Sequence, residues 1–237
     1  FRGGSSNQAH DHLDVGGFVY TIGGVRWAVD IGKEPYSYLT DENNPSIQAG
    51  YDSKYFYRRK GEGHNIVVIN PDDKLETDIN AKAEIERYEF GENSAYAILD
   101  MTKLYDDVTE YKRGFMLTDS RRSLIVRDEI NLKSQSELYW FMTTRAEIEI
   151  VDNTTAILTE DGKRLKVEIN TNAPDAELSI MAAELLPTSP QFNNSPNSEY
   201  SKLALKVSAS GEVNITAKMY LEEENIGWSD AGSLESW

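Results

Sequence analysis

The sequence predicts an all-β protein: a large antiparallel β-sandwich of many short strands, one domain over residues 1–237. Three observations predict it. Short runs rich in β-branched and aromatic residues recur along the chain. Apolar and polar residues alternate in Leu165-Lys166-Val167-Glu168-Ile169 and in Ala146-Glu147-Ile148-Glu149-Ile150. Turn signals such as Asp161-Gly162 and Ser210-Gly211 separate these runs, and no helical stripe is sustained; Asp100–Asp107 has room for one turn.

The first element is a hairpin. Phe18–Ile22 and Val25–Ile31 flank Gly23-Gly24, and glycine suits both positions of a two-residue loop. Pairing Ile22 with Val25 carries Asp30 back opposite Gly17. It puts Val25, Trp27, Val29 and Ile31 on one apolar face, with Asp30 on the other beside Ala28. Further strands are expected at 65–70, 83–90, 94–99, 110–118, 122–131, 136–144, 146–151, 164–169, 176–184, 201–208 and 212–221. Gln191–Ser198 reads as a polar, proline-containing loop. Residues 222–237 read as the end of an edge strand running into a loose tail.

With 237 residues the chain can bury a sizeable core, and with no cysteine it does so without disulfides, thiolate metal sites or cysteine nucleophiles. No run approaches the length of a membrane span. The opening Phe-Arg-Gly-Gly carries no signal-peptide pattern, and the chain is expected to be a fragment of a longer protein. A net charge of −16 opposes nucleic acid and anionic membrane as partners. The local exception is Tyr55-Phe56-Tyr57-Arg58-Arg59-Lys60, three consecutive cations just before His64, expected to form a binding patch.

All three histidines fall within the first 64 residues, two of them in His10-Asp11-His12. On an extended strand, side chains at i and i+2 share a face, so the pair presents two imidazoles side by side, with Asp14 next along as a structural partner. The hairpin returns Asp30 to this neighbourhood, and His64 stands in Gly61-Glu62-Gly63-His64-Asn65. Two imidazoles and a carboxylate with one position open make a workable zinc site, and imidazole is equally the common acid or base near neutral pH.

Three segments together resemble the heparinase II/III-like polysaccharide lyases: Ala9-His10-Asp11-His12-Leu13-Asp14-Val15-Gly16-Gly17-Phe18, Trp27-Ala28-Val29-Asp30-Ile31-Gly32, and Tyr57-Arg58-Arg59-Lys60-Gly61-Glu62-Gly63-His64-Asn65. They are similar to that family's H-x-H-x-D-x-G-[SG]-F, W-x-x-D-x-G and H-N motifs. Weaker likenesses follow at Tyr111–Phe115, Arg127–Glu129 and Glu137–Phe141. The resemblance implies an enzyme with an N-terminal (α/α) toroid and a C-terminal β-sandwich, of which this chain resembles only the sandwich. It implies that His10 faces the substrate cleft as a catalytic residue, while His12, Asp30 and His64 hold a structural Zn2+. A tyrosine after the W-x-x-D segment lines the cleft in such enzymes; Tyr36 is preferred over Tyr38 and Tyr51, because Asp30 followed by Tyr-x-Tyr resembles the family's order. Position 9 is alanine where relatives often carry asparagine.

The implied chemistry is β-elimination from a uronic-acid-containing polysaccharide such as heparan sulfate, hyaluronan or alginate. Such a site must neutralise the sugar carboxylate, remove the C5 proton and protonate the leaving oxygen. Arg58 and Arg59 would bind carboxylates or sulfates through their bidentate forks. Without the toroid, the isolated chain is expected to be inactive. The implied setting is extracellular or periplasmic. Two other classes compete. Gly4 to His12 fits the opening of a cupin metal motif, but the glutamate expected next is replaced by Gly16-Gly17. A non-catalytic carbohydrate-binding sandwich would use some of the 13 Tyr and 4 Trp for stacking.

Overall fold

The computed structural model describes all residues except Ala9, Phe192 and Asn193, and the backbone alone at Pro45 and Ser46. The alanine at position 9 and part of the 191–198 loop therefore lie outside the described residues. Among the described residues the chain is dominated by antiparallel strands. The hairpin is present: β1 (Tyr20–Ile22) pairs with β2 (Val25–Ala28), Ile22 opposite Val25. Gly23 and Gly24 sit at φ +61° and +82°, the left-handed pair that a two-residue turn demands. A bulge between Tyr20 and Thr21 shifts the register, so Tyr20 faces Ala28. Val25, Trp27 and Val29 go inside as expected, and so does Ala28.

The remaining strands are β3 (Val67–Ile69), β4 (Glu84–Phe90), β5 (Ala95–Asp100), β6 (Val108–Thr118), β7 (Ser123–Thr144), β8 (Glu147–Asp152), β9 (Thr155–Glu160), β10 (Lys163–Thr171), β11 (Glu177–Ala182) and β12 (Ser201–Leu221). They run in the order β4-β5-β6-β7-β12-β10-β9-β8, with β3 added to β7 and β11 to β12. Two long strands join the layers. The first half of β7 pairs with β6 and the end of β12; its second half pairs with β3 and the start of β12.

This corrects two expectations. The pairs 122–131 with 136–144, and 201–208 with 212–221, are each one continuous strand of 22 and 21 residues. The polar residues between them mark the place where the strands pass from one layer into the other. A register shift between Ala209 and Gly211, with Gly211 at φ +68°, bends β12 there without ending it. The second correction is β9, which was not expected. Ala156-Ile157-Leu158 are all buried, so the run lacks the alternation that reveals a half-exposed strand.

The core follows from the two-residue period. Leu138, Trp140 and Met142 of β7 point into the main core with Leu203, Leu205 and Val207 of β12. Phe141 and Ala204 point the other way, into a second cluster with Ile66, Val68 and Leu186. Tyr57, the Glu62 carbonyl and Ile66 lie over that outer face, joined to it through Lys202 and Phe141. Asp100–Asp107 contributes one 3-10 turn at Thr102–Leu104, and two four-residue helices, α1 (Tyr36–Leu39) and α2 (Pro45–Gln48), lie between β2 and β3. No helix among the described residues is long and apolar enough to cross a membrane.

The expected loose tail is docked instead. Leu234 is buried, Trp237 Nε1 donates to the Ala231 carbonyl at 2.7 Å, and the Arg87 guanidinium donates to the Leu234 and Glu235 carbonyls. Gly114 makes room for this: a Cβ there would lie 2.3 Å from Leu234 Cδ2 and 2.6 Å from Trp237 Cζ3.

Candidate functional site

The His10-Asp11-His12 segment is a loop, not a strand, which corrects the same-face geometry. Backbone bonds explain the difference. The Asp11 N–H donates to the Gln8 carbonyl (3.1 Å), its carboxylate accepts from the Gln8 N–H (3.1 Å), and the Leu13 N–H donates to the Arg59 carbonyl (2.8 Å). Arg2 binds the carboxylates of Asp11 (3.1 Å) and Asp14, and the Gly17 N–H closes onto the Asp14 carbonyl at 2.8 Å. A Cβ at position 17 would meet that same carbonyl at 2.8 Å, so the glycine is required for the turn. The loop presents its imidazoles to different surroundings: His10 is exposed and His12 half-buried.

Tyr36 meets His10 at the surface. Its hydroxyl lies 3.4 Å from His10 Nδ1, and the tyrosine is 56% exposed. The other two candidate tyrosines are placed differently. Tyr51 packs edge-on against Tyr55 with centroids 5.1 Å apart, and Tyr38 is half-buried.

Asp30 and His64 also meet. His64 is buried, and its Nδ1 lies 2.9 Å from Asp30 Oδ2. Burial works to raise the Asp30 pKa, but the hydrogen bond and charge of His64, with the Gly32 N–H, outweigh it and hold the carboxyl at about 2. The His12 ring stands 5.3 Å from that of His64. Burial first, then the neighbouring His64, lowers the His12 pKa to about 4, although Asp30 pulls the other way; the imidazole is neutral at pH 7.

Two residues without an assigned role hold this arrangement together. Asn65 is buried and donates from Nδ2 to the carbonyls of Phe18 (2.8 Å) and Val29 (2.9 Å), while its Oδ1 accepts from the Thr143 N–H at 2.6 Å. It ties the His64 segment to the residue preceding Asp30. Arg113, paired in the core with Asp128 at 3.0 Å, donates to the carbonyls of Gly16 (3.0 Å) and Asn65 (3.1 Å), joining the glycine turn to the same segment. The H-N motif pointed to Asn65; Arg113 and Asp128 lie in the weaker likenesses at Tyr111–Phe115 and Arg127–Glu129, which assigned them no role.

The cation run 58–60 does not form the expected surface patch. Arg58 is half-buried and donates to Asn197 Oδ1 (2.8 Å) and to the carbonyls of Pro196 (3.2 Å) and Lys33 (3.3 Å). Arg59, expected beside it as a substrate-binding cation, turns inward at 5% exposure and donates to Ser53 Oγ (2.6 Å) and the Asp11 carbonyl (3.1 Å). Lys60 is fully buried, 2.7 Å from both Glu62 and Glu76. Its neighbours are Ser189 (Oγ at 3.0 Å) and, through the Glu62 carbonyl, the buried Lys202. Chain crossing accompanies the inward turn: Gly63 passes so close to the Tyr57 carbonyl that a Cβ would lie 2.1 Å from it, and Arg59 and Lys60 in the tight loop between them are buried.

A metal suits the donor chemistry in two respects. His12 is neutral, as a ligand must be, and His64 Nε2 is buried with no hydrogen-bond partner among the described residues. In the arrangement described, however, Asp30 occupies His64 Nδ1, and no group of three His, Asp or Glu side chains among the described residues is set to hold an ion.

Residues 1–229 match the family model described as Heparinase II/III-like, C-terminal. Among solved structures, a heparan sulfate lyase HepC mutant from Pedobacter heparinus is similar with a TM-score of 0.68 at 17% identity, covering 92% of this chain and 32% of that one. A heparinase III structure gives 0.67 at 13% identity, covering 91% and 31%. This chain therefore spans about a third of the length of the heparinases it resembles. No curated protein matches it at a significant level. The chain belongs to the heparinase II/III-like family and corresponds to that family's C-terminal β-sandwich.

Proposed function

We propose that this sandwich is the C-terminal part of a polysaccharide lyase that cleaves a uronic-acid-containing polysaccharide by β-elimination, outside the cytoplasm. The observation that carries the reading is the surface meeting of Tyr36 and His10, two residues from His12. C5–H of a uronate is a weak acid, so its removal needs a base held near a group that stabilises the growing negative charge. A phenol and an imidazole 3.4 Å apart can share that work, and such contacts tighten when substrate fills the cleft. Arg58, half-buried and bonded to the Lys33 carbonyl, would supply positive charge for the sugar carboxylate or a sulfate.

The same reading gives His12, Asp30 and His64 a structural Zn2+. The ion would fix the loop that carries His10, with His64 Nε2 and neutral His12 as the nitrogen donors in reach. The second half of the cleft, with its own tyrosine, would come from a helical toroid, so the sandwich alone is expected to show little or no turnover. The test is an absorbance assay for the unsaturated uronate product, run with the full-length enzyme on a panel of uronate polysaccharides. Turnover that falls at least a hundredfold in Tyr36→Phe or His10→Ala supports the reading. Absence of any unsaturated product on every uronate tested would refute it.

A further inference from the structure

In a chain with 40 acidic and 24 basic residues, a surface cation is expected to have a carboxylate beside it, and most here do. Lys112 pairs with Glu86, Arg122 with Glu224, Arg127 with Glu129, Arg164 with Glu222 and Lys206 with Glu137. Others, Arg26, Arg87, Lys103, Arg121, Lys133 and Lys163 among them, have no ion-pair partner among the described residues, and Lys33 and Arg58 belong to this second group. The oxygens that Arg58 meets are uncharged, two carbonyls and an amide. The nearest carboxylate in sequence, Glu34, is buried and turned inward, accepting the Ser195 N–H at 2.7 Å. The rim beside His10 and Tyr36 thus carries two cations without a carboxylate partner, while the Asp30 carboxylate of the site is bonded to His64.

Of these two cations, Lys33 is the exposed one and stands beside Tyr36. Its Nζ stands 6.0 Å from the centre of the Tyr36 ring, and the hydroxyl at the far end of that ring meets His10. Arg58 donates to the Lys33 carbonyl at 3.3 Å and, through its other nitrogens, to Pro196 and Asn197. It fixes the backbone from which Lys33 reaches out.

We propose that Lys33 is the substrate-binding cation of this rim, taking a sulfate or carboxylate on the sugar next to the one at His10, with Arg58 as the residue that positions it. The inference rests on the lyase reading and narrows it to polyanionic chains with charge on more than one sugar. A lysine suits the task because its ammonium is a mobile point charge that accepts either anion. Its contribution is electrostatic and so weakens with salt.

The test uses the full-length enzyme, with heparan sulfate and polygalacturonate as probes. Lys33→Gln should raise KM roughly three- to tenfold on the probe that is cleaved, more than it lowers kcat, and should flatten the fall of kcat/KM with salt. Lys33→Arg should restore most of both. Lys103→Gln, an equal charge change at an exposed site in the 102–104 turn, should leave KM where it was. In affinity electrophoresis, Lys33→Gln should be retarded less than the wild type by the anionic polysaccharides, with no change in neutral dextran. If the wild type cleaves a probe but Lys33→Gln keeps its KM and salt dependence, the inference is wrong and the lyase reading stands. The inference also fails if Lys103→Gln weakens binding equally. If the wild type neither cleaves nor binds either probe, both fall.

Discussion

Arg58 and Lys60 are two residues apart and end in opposite settings. Lys60 lies in a closed pocket between Glu62, Glu76 and Ser189, every charge answered and none exposed. Arg58 lies on a half-open rim with Lys33, where the cations meet only neutral oxygens. The inner cluster is compensated as a framework must be, because an unanswered buried charge is very costly. The outer rim leaves its charge unanswered, which costs little beside water and keeps an attraction available for a polyanion. The difference teaches that a basic run in the sequence fixes neither setting; the buried Arg59 and Lys60 lie in the tight loop where the chain crosses itself at Gly63.

The largest expected effect tests the inner half of this comparison. Lys60→Met removes the cation shared by two buried carboxylates and should lower the unfolding free energy by about 3–5 kcal/mol in urea denaturation. Arg58→Gln, on the rim, should cost less than about 1 kcal/mol. Equal losses would erase the distinction between the two regions.

A pH experiment sharpens the same point. Burial lowers the Lys202 pKa to about 8, against the partial support of Glu62, Glu76 and Glu184. Its folded value lies below the unfolded one, near 10.5, so between these limits the unfolded chain holds the extra proton and stability rises with pH. From pH 8 to 10 this group should contribute a gain of about 2–3 kcal/mol, read as the difference between the wild type and Lys202→Met. The difference is the readout because buried Tyr57, Tyr105 and Tyr111, their pKa values raised, lower the stability of both as pH nears 10. A difference that does not change with pH would place Lys202 in contact with water.

How much of this was legible in the sequence differs by element. The hairpin at Gly23-Gly24 was, because two left-handed residues leave few alternatives. The all-β class was, because alternation in β8 and β10 survives half-burial. The length of β7 and β12 was not, since polar residues where strands change layers look like turns. In the site, the motifs brought forward Asp30 and His64, which meet, and His10 with Tyr36, which also meet. The sequence could not show that Arg59 and Lys60 turn inward, because that goes with Tyr57 and Gly63 touching, nor that Lys33 is left without a carboxylate.

An effect of similar size is expected at Asn65. Asn65→Ala removes three buried hydrogen bonds that hold the His64 segment to Phe18, Val29 and Thr143, and should cost about 2–4 kcal/mol, since the partners left behind are buried. Metal content, read by elemental analysis, should fall with it. Stability lost with metal retained would separate the frame from the site.

The most direct test of the division between frame and rim compares His10→Ala with His12→Ala in the full-length enzyme, reading turnover, zinc content and Tm together. The account predicts that His10→Ala loses at least a hundredfold in turnover while keeping its zinc and Tm, because that imidazole is exposed beside Tyr36 and outside the His64–Asp30 contact. His12→Ala should lose zinc and several degrees of Tm, because its ring lies against His64 inside the frame. Equal loss of zinc in both variants, or full turnover in His10→Ala, would contradict it.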